Sequence, residues 1–211
     1  PLMVMTFAPS SVAFFAAPSG EWIVDAMQSF TTDETLTVTI NGIDYVITVT
    51  DPEYFNLWVG SKQVTSDNMD DILDDGGKAR YNPALHTLFL ENPAITGLRD
   101  EAQIYAYNID LIISGYATLD DSSAQYGIKT EGSGELTIGV GVITAKGSKY
   151  GIYATKDINI GAASVTATGG NNGIYSPESI AFNKSIVTAS GKKNGIYSGK
   201  FLVITDAIID A

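Results

Sequence analysis

The segment Tyr150–Ser176, YGIYATKDINIGAASVTATGGNNGIYS, opens and closes on nearly the same phrase, and the distance between the two copies decides the fold. The phrase recurs along the chain. Ile104-Tyr105, Ile128-Lys129, Ile152-Tyr153, Ile174-Tyr175 and Ile196-Tyr197 place their isoleucines 24, 24, 22 and 22 residues apart. In the last four, glycine precedes isoleucine (Gly127, Gly151, Gly173, Gly195). A second motif rides on the same period: LTIGVGVITAKG (136–147), INIGAASVTATG (158–169) and IAFNKSIVTASG (180–191) align without a gap. TLFLENPAITG (87–97) fits a shortened version, which places the first repeat near Leu88.

Each repeat holds about three short apolar segments separated by Gly, Asn, Ser and Lys, with no helical periodicity. A fixed period of this length with short strands suits one coil of a parallel β-helix, each coil stacked on the last at about 4.8 Å. Leucine-rich repeats have a similar period but need several leucines per repeat, and residues 122–211 contain two. An antiparallel sandwich leaves the residue-by-residue match unexplained. The expected fold is therefore all-β, a right-handed parallel β-helix over 87–211, with the hand taken from the general crossover preference. Ile152 and its equivalents are expected to point inward, joined from the other sides by Ile158, Ile160 and Val165. The glycines are expected where positive φ or close coil-to-coil approach is required.

Upstream, ETLTVTINGIDYVITVT (34–50) reads as two strands around Asn41-Gly42, because both turn residues tolerate positive φ. Leu57-Trp58-Val59 reads as a short strand closed by Gly60. Ser66 stands where an N-cap should, and Asp67, Asp70 and Asp71 behind it predict a short helix ending near Leu73. TLFL and AIT after it read as strands. Residues 21–86 are thus expected to form a hairpin and short-helix cap over the N-terminal end of the solenoid, whose open end would be an unpaired edge. At the other end the sequence stops in mid-repeat, which predicts further residues beyond Ala211. The apolar start, residues 1–20, has the apolar run and small-residue exit of a secretory signal without its basic start, and reads as a signal-peptide remnant; the competing reading is an apolar strand. A membrane span needs about 20 strongly apolar residues, and Pro9, Pro18 and three serines interrupt this run, so no span is expected in the mature region.

Composition narrows the function. The chain has 211 residues, 24 acidic and 12 basic, for a net charge of −12, which argues against nucleic acid. The charge is lopsided: residues 1–121 carry 18 acidic and 4 basic groups, residues 122–211 carry 6 and 8. There is no cysteine and one histidine, so thiol chemistry, a cysteine-partnered triad and an ordinary zinc site are out of reach. His86 reads as a surface or packing residue. Asp67, Asp70, Asp71, Asp74 and Asp75 lack the spacing of a calcium-binding loop and read as a helix start and turn. Asp120-Asp121 is adjacent rather than facing, so it reads as an inter-coil turn and not a hydrolytic pair. The acids of the regular coils, Glu131, Glu135, Asp157, Glu178, Asp206 and Asp210, fall at mostly unrelated positions. Asn183-Lys184-Ser185 fits a glycosylation sequon, a short and common match. No catalytic residue, metal site or cofactor is expected.

The tyrosines are the candidate site. If Ile152 points inward, Tyr153 points outward, and Tyr105, Tyr153, Tyr175 and Tyr197 fall at one place on successive coils, with Lys129 in the same column. Such rings can stack on sugar C–H faces while their hydroxyls bond sugar hydroxyls. The simpler alternative is that the rings stack on each other and cover the coil.

The segment 57–97, with Leu57-Trp58-Val59-Gly60, Val64-Thr65, Ile72-Leu73, Tyr81-Asn82-Pro83 and Thr87-Leu88, followed by the Gly-Ile-Tyr repeats, resembles a group of exported surface proteins of anaerobic Gram-positive bacteria. These are often labelled carbohydrate-binding-domain-containing or right-handed β-helix proteins. The resemblance covers roughly residues 34–211 and implies secreted or cell-surface placement, with no particular binding residues to carry over. The expectation is a non-catalytic adhesin-like protein whose partner is a polysaccharide or a host or cell-wall glycan. A structural stalk displaying other modules is the alternative, and a fragment of a β-helix polysaccharide-active enzyme the second.

Overall fold

The computed structural model describes residues 52–211 throughout, and before them the backbone of four strands. Two compact units divide the chain at residue 53. In the first, β1 (Val12–Ala16) pairs antiparallel with β2 (Trp22–Ala26), and β3 (Glu34–Ile40) with β4 (Ile43–Val49). Ile40 sits opposite Ile43, the register that a two-residue Asn-Gly connection demands; Asn41 and Gly42 themselves lie outside the described residues. So does most of the segment read as a signal remnant, apart from the strand Val12–Ala16.

The second unit is a right-handed parallel β-helix. Its strands are β5 (Tyr54–Val59), β6 (Lys62–Thr65), β7 (Ala79–Asn82), β8 (Thr87–Glu91), β9 (Ala102–Tyr107), β10 (Leu111–Leu119), β11 (Tyr126–Glu131) and β12 (Leu136–Gly147). They continue with β13 (Tyr150–Ala154), β14 (Ile158–Gly161), β15 (Ala163–Gly169), β16 (Asn172–Ser176), β17 (Ile180–Asn183), β18 (Ile186–Gly191), β19 (Asn194–Ser198), β20 (Leu202–Thr205) and β21 (Ile208–Asp210). Three faces result. The tyrosine face stacks β9, β11, β13, β16 and β19; a second face stacks the starts of β10 and β12 with β14, β17 and β20. The third stacks the ends of β10 and β12 with β15, β18 and β21. All neighbours in these stacks are parallel and in register.

Inward columns form the core. Ile104, Ile128, Ile152 and Ile174 are all fully buried in one column. Leu111, Leu136, Ile158 and Ile180 fill the second, and Ala117, Ile143, Val165 and Val187 the third. Each buried isoleucine contributes about 1.5–3 kcal/mol of apolar transfer. In the last coil the inward-column residues Leu202 and Ile204 are half exposed, at 48% and 51%, because no further coil lies over them among the described residues.

Antiparallel strands close the other end. β5 pairs antiparallel with β9 and β6 with β5, while β7 pairs antiparallel with β8. The cap is thus built from residues 54–82. The expected helix at 66–73 is absent: those residues form successive turns. The reason is local. Asn68 Oδ1 accepts the Thr65 N–H at 2.8 Å, and the Asp71 carboxylate accepts the N–H groups of Asp75 and Gly76. Asn and Asp side chains that could complement a helix dipole instead satisfy turn amides, an alternative open to these residues. The segment Ala94–Thr96, expected as a strand, is irregular chain after Pro93, which has no N–H for a ladder.

The coil that starts at Ile128 is longer than the two after it at one corner. From Ile128 to Leu136, across the corner between the tyrosine face and the second face, the chain advances eight residues; from Ile152 to Ile158 and from Ile174 to Ile180 it advances six. The corner leading back to the tyrosine face is constant in these coils, nine residues from Ile143 to Ile152 and from Val165 to Ile174. Glycine lets the backbones approach closely there. A Cβ on Gly151 would lie 2.7 Å from Ala145 O and Thr168 N, and one on Gly173 equally close to Ala167 O and Ser190 N. Of the two expected roles, close approach is the one these glycines serve.

Candidate functional site

Glycine at the corner, isoleucine inward and tyrosine outward is the local logic of β13, β16 and β19; β9 has Gln103 in place of the glycine and β11 has Lys129 in place of the tyrosine. The expected column is present: Tyr105, Lys129, Tyr153, Tyr175 and Tyr197 are consecutive register partners. The column is not uniform. Tyr105 and Lys129 are buried (8% and 7%), Tyr153 and Tyr175 are intermediate, and Tyr197 is 41% exposed.

At the capped end the rings are held by charge. Lys129 pairs with Asp100 and with Glu131 (3.1 Å), and its Nζ lies 4.9 Å from the Tyr126 ring centroid and 5.5 Å from that of Tyr105. Tyr105 donates its hydroxyl to Glu131 Oε2 at 3.3 Å and packs on Trp58, over which Arg99 sits at 4.9 Å. Burial opposes the charge of Lys129, but the hydrogen bonds and fields of Asp100 and Glu131 outweigh it and hold its pKa above the ordinary lysine value. Burial, and after it the Glu131 charge, raises the Tyr105 and Tyr153 hydroxyls; burial and the neighbouring Tyr150 and Tyr197 raise Tyr175. These phenols stay protonated donors across the neutral range.

Farther along, the rings stack on one another. Tyr153 and Tyr175 are 5.4 Å apart with planes 1° from parallel, and Tyr175 and Tyr197 are 5.0 Å apart at 9°. Rings this close cannot lie edge to edge in one plane, so they overlap as offset stacks. Their faces cover each other, so the exposed part of each ring is mainly its edge. This departs from the sugar-stacking geometry: the row is one of donors more than of open ring faces.

Sequence reasoning missed a second column. Tyr126 and Tyr150 are register partners, stacked at 5.7 Å and 18°, and Tyr150 also lies 5.2 Å from Tyr175. The column continues as Asn172 and Asn194. The signal was present in QYGIK and KYGIY, where a tyrosine also precedes the glycine; the corner bends the strand so that residues three apart share one side, and Tyr150 and Tyr153 stand 5.4 Å apart. Trp58, from the cap, joins the same cluster. Asn172 is 4% exposed and its Oδ1 has no partner within the protein.

The remaining candidates disperse. Among the described residues no three His, Asp or Glu side chains gather as a metal site. Asp71 caps a turn and its pKa is lowered by those backbone N–H bonds, and Asp74 pairs with Lys62. Asp121 accepts both the N–H and hydroxyl of Ser123, which lower its pKa and close the expected turn. His86 is exposed, at positive φ (49°) in the connection between β7 and β8 rather than in a strand. Glu178 pairs with Lys200, and Asp157 accepts the Ser179 N–H at 2.9 Å. Two surface grooves of about 420 and 450 Å³ share Arg80 and Phe89, and neither includes a tyrosine of the column. No helix among the described residues is long and apolar enough to cross a membrane.

Fold and site together define a capped parallel β-helix with one aromatic face. No protein-family model matches the chain, and no curated protein or solved structure does either.

Proposed function

We propose that this chain is a non-catalytic exported or cell-surface protein that binds carbohydrate through its tyrosine face, in an adhesive role. One observation carries the reading: outward tyrosines recur in one column, Tyr153, Tyr175 and Tyr197 on three consecutive coils, a row that suits a ligand that is itself periodic. A polysaccharide is such a ligand, and buried tyrosines enriched at interfaces act through a polar tip on an apolar body. Among the described residues the scattered acids and the exposed His86 at a turn offer no converging acid–base pair, which supports a binding role over a hydrolytic one. The stalk reading also has a specific support, the mutual stacking of Tyr153, Tyr175 and Tyr197, which would cover the coil with no ligand present.

Binding of the whole chain to immobilised plant, host and cell-wall glycans separates the two. Retention of the wild type, lost in Tyr175→Ala/Tyr197→Ala with the β-signal in circular dichroism intact, supports the binding face. Retention that survives the substitutions removes the tyrosine row from the site. Absence of retention on every glycan leaves the stalk.

A further inference from the structure

The corners of the solenoid differ in charge. The corner between the tyrosine and second faces is mixed: Asp110, Glu135 and Asp157 succeed one another in a hydrogen-bonded ladder, with Lys156 and a Lys200–Glu178 ion pair beside them. The opposite corner, which leads into the tyrosine face, carries only basic charge in the coils from 136 to 198: Lys146, Lys149, Lys192 and Lys193. All four are exposed. Lys149 touches the aromatic face directly, its Nζ 3.2 Å from the Tyr126 hydroxyl and 5.9 Å from the Tyr150 ring centroid. No carboxylate among the described residues lies within ion-pair distance of Lys146, Lys149, Lys192 or Lys193. In a chain of net charge −12, four lysines along one edge, with the Glu101 carboxylate near enough to act on Lys149, are a local reversal of sign.

The ladder fixes their spacing. Asn171 N–H bonds Lys149 O and Lys193 N–H bonds Asn171 O, each at 2.8 Å, so Lys149 and Lys193 stand two coils apart on the same corner. That is roughly 9–10 Å along the axis. Tyr150 links this edge to the tyrosine row: its ring, 5.9 Å from Lys149 Nζ, lies 5.4 Å from Tyr153 and 5.2 Å from Tyr175, and the faces of Tyr153, Tyr175 and Tyr197 already cover one another. Ammonium and phenol groups in two parallel rows both donate, so the surface is complementary to a ligand with acceptors at regular intervals.

Resting on the carbohydrate reading above, we infer that the ligand is an anionic polysaccharide. It lies along the solenoid axis, with its carboxylate or sulfate groups on Lys149 and Lys193 and its hydroxyls on Tyr153, Tyr175 and Tyr197. The bound form is held by charge-assisted hydrogen bonds in place of sugar-on-ring stacking. Its affinity falls with added salt, as exposed charge pairs require.

The test is affinity electrophoresis and calorimetry of the full chain with three polymers: polygalacturonate, its fully methyl-esterified form and a sulfated galactan. Binding of polygalacturonate or the sulfated polymer, weakened about tenfold or more in Lys149→Ala/Lys193→Ala and restored by arginine at both positions, is the expected result. The polymer that binds tells carboxylate from sulfate. Equal binding of the esterified polymer overturns the charge inference and leaves the carbohydrate reading standing. Binding to neither charged polymer, with retention on a neutral glycan, does the same. Absence of retention on charged and neutral polymers alike removes both. Undiminished polygalacturonate binding by the double alanine variant overturns the assignment to this corner, as does equally strong binding of double-stranded DNA, which would mark an unspecific polyanion surface. Thermal unfolding of each variant reports whether the fold is retained.

Discussion

The two ends of the tyrosine face occupy the same column and are built by different physics. At the capped end, Tyr105 and Lys129 are buried under Trp58, Tyr126, Asp100 and Glu131, in a mesh of ion pairs and ring contacts. Toward Tyr197 the same register position holds rings that touch mainly one another and grow more exposed. A repeat therefore fixes where a side chain points and leaves open what it does there. One half of the column seals the joint between cap and coils, and the other presents a surface.

The comparison breaks first at what both ends share. Ile128→Ala and Ile152→Ala remove equally buried residues from one inward column, and each is expected to cost about 2–5 kcal/mol of unfolding free energy in chemical denaturation. Clearly unequal losses would mean that the cap, and not the stack, sets core stability. The next effect separates the ends. Lys129→Met strands two carboxylates, a change worth about 3–5 kcal/mol in a fully buried pair. Asp100 and Glu131 are 47% and 29% exposed, so about 1–3 kcal/mol is expected. Tyr197→Leu, at the open end, loses one ring pair and should cost about 0.5–1.5 kcal/mol. Equal losses from Lys129→Met and Tyr197→Leu would dissolve the distinction.

Alkali gives the smallest and most general effect. The folded pKa values of Tyr105, Tyr153, Tyr175 and Lys129 are raised, so the stability they contribute is complete below the unfolded values, about 10 for tyrosine and 10.4 for lysine. It is lost as pH rises through the folded values. Denaturation midpoints should stay level between pH 7 and 9 with respect to these groups and fall above about pH 10. A midpoint that rises through that window would contradict the burial of these hydroxyls.

The solenoid was legible in the sequence because stacking repeats its demands: each coil needs an inward isoleucine, a corner glycine and an outward ring at the same place, and the period records all three. The helix at 66–73 was misread because Asn68 and Asp71 suit a helix start and a run of Asx turns equally well, and only the tertiary position of the amides decides. The second tyrosine column was hidden for a related reason. Alternation assigns Tyr150 and Tyr153 to opposite sides of a strand, whereas the tight approach at Gly151 swings them together. The lysine edge was visible only as a regional excess of basic residues, since Lys149, Lys192 and Lys193 lie on a corner and only Lys146 falls in a strand.

The two extra residues at the corner after Glu131 carry a last consequence. Coils of both lengths keep Leu136 beside Ile158 and Ile128 beside Ile152, so chain length and strand register are uncoupled at that corner. There the fold is a splice point: insertions and deletions fixed over generations can collect without shifting a neighbour, and a guest loop grafted at Ser133 would ride beside the tyrosine row while every ladder above and below stayed in step.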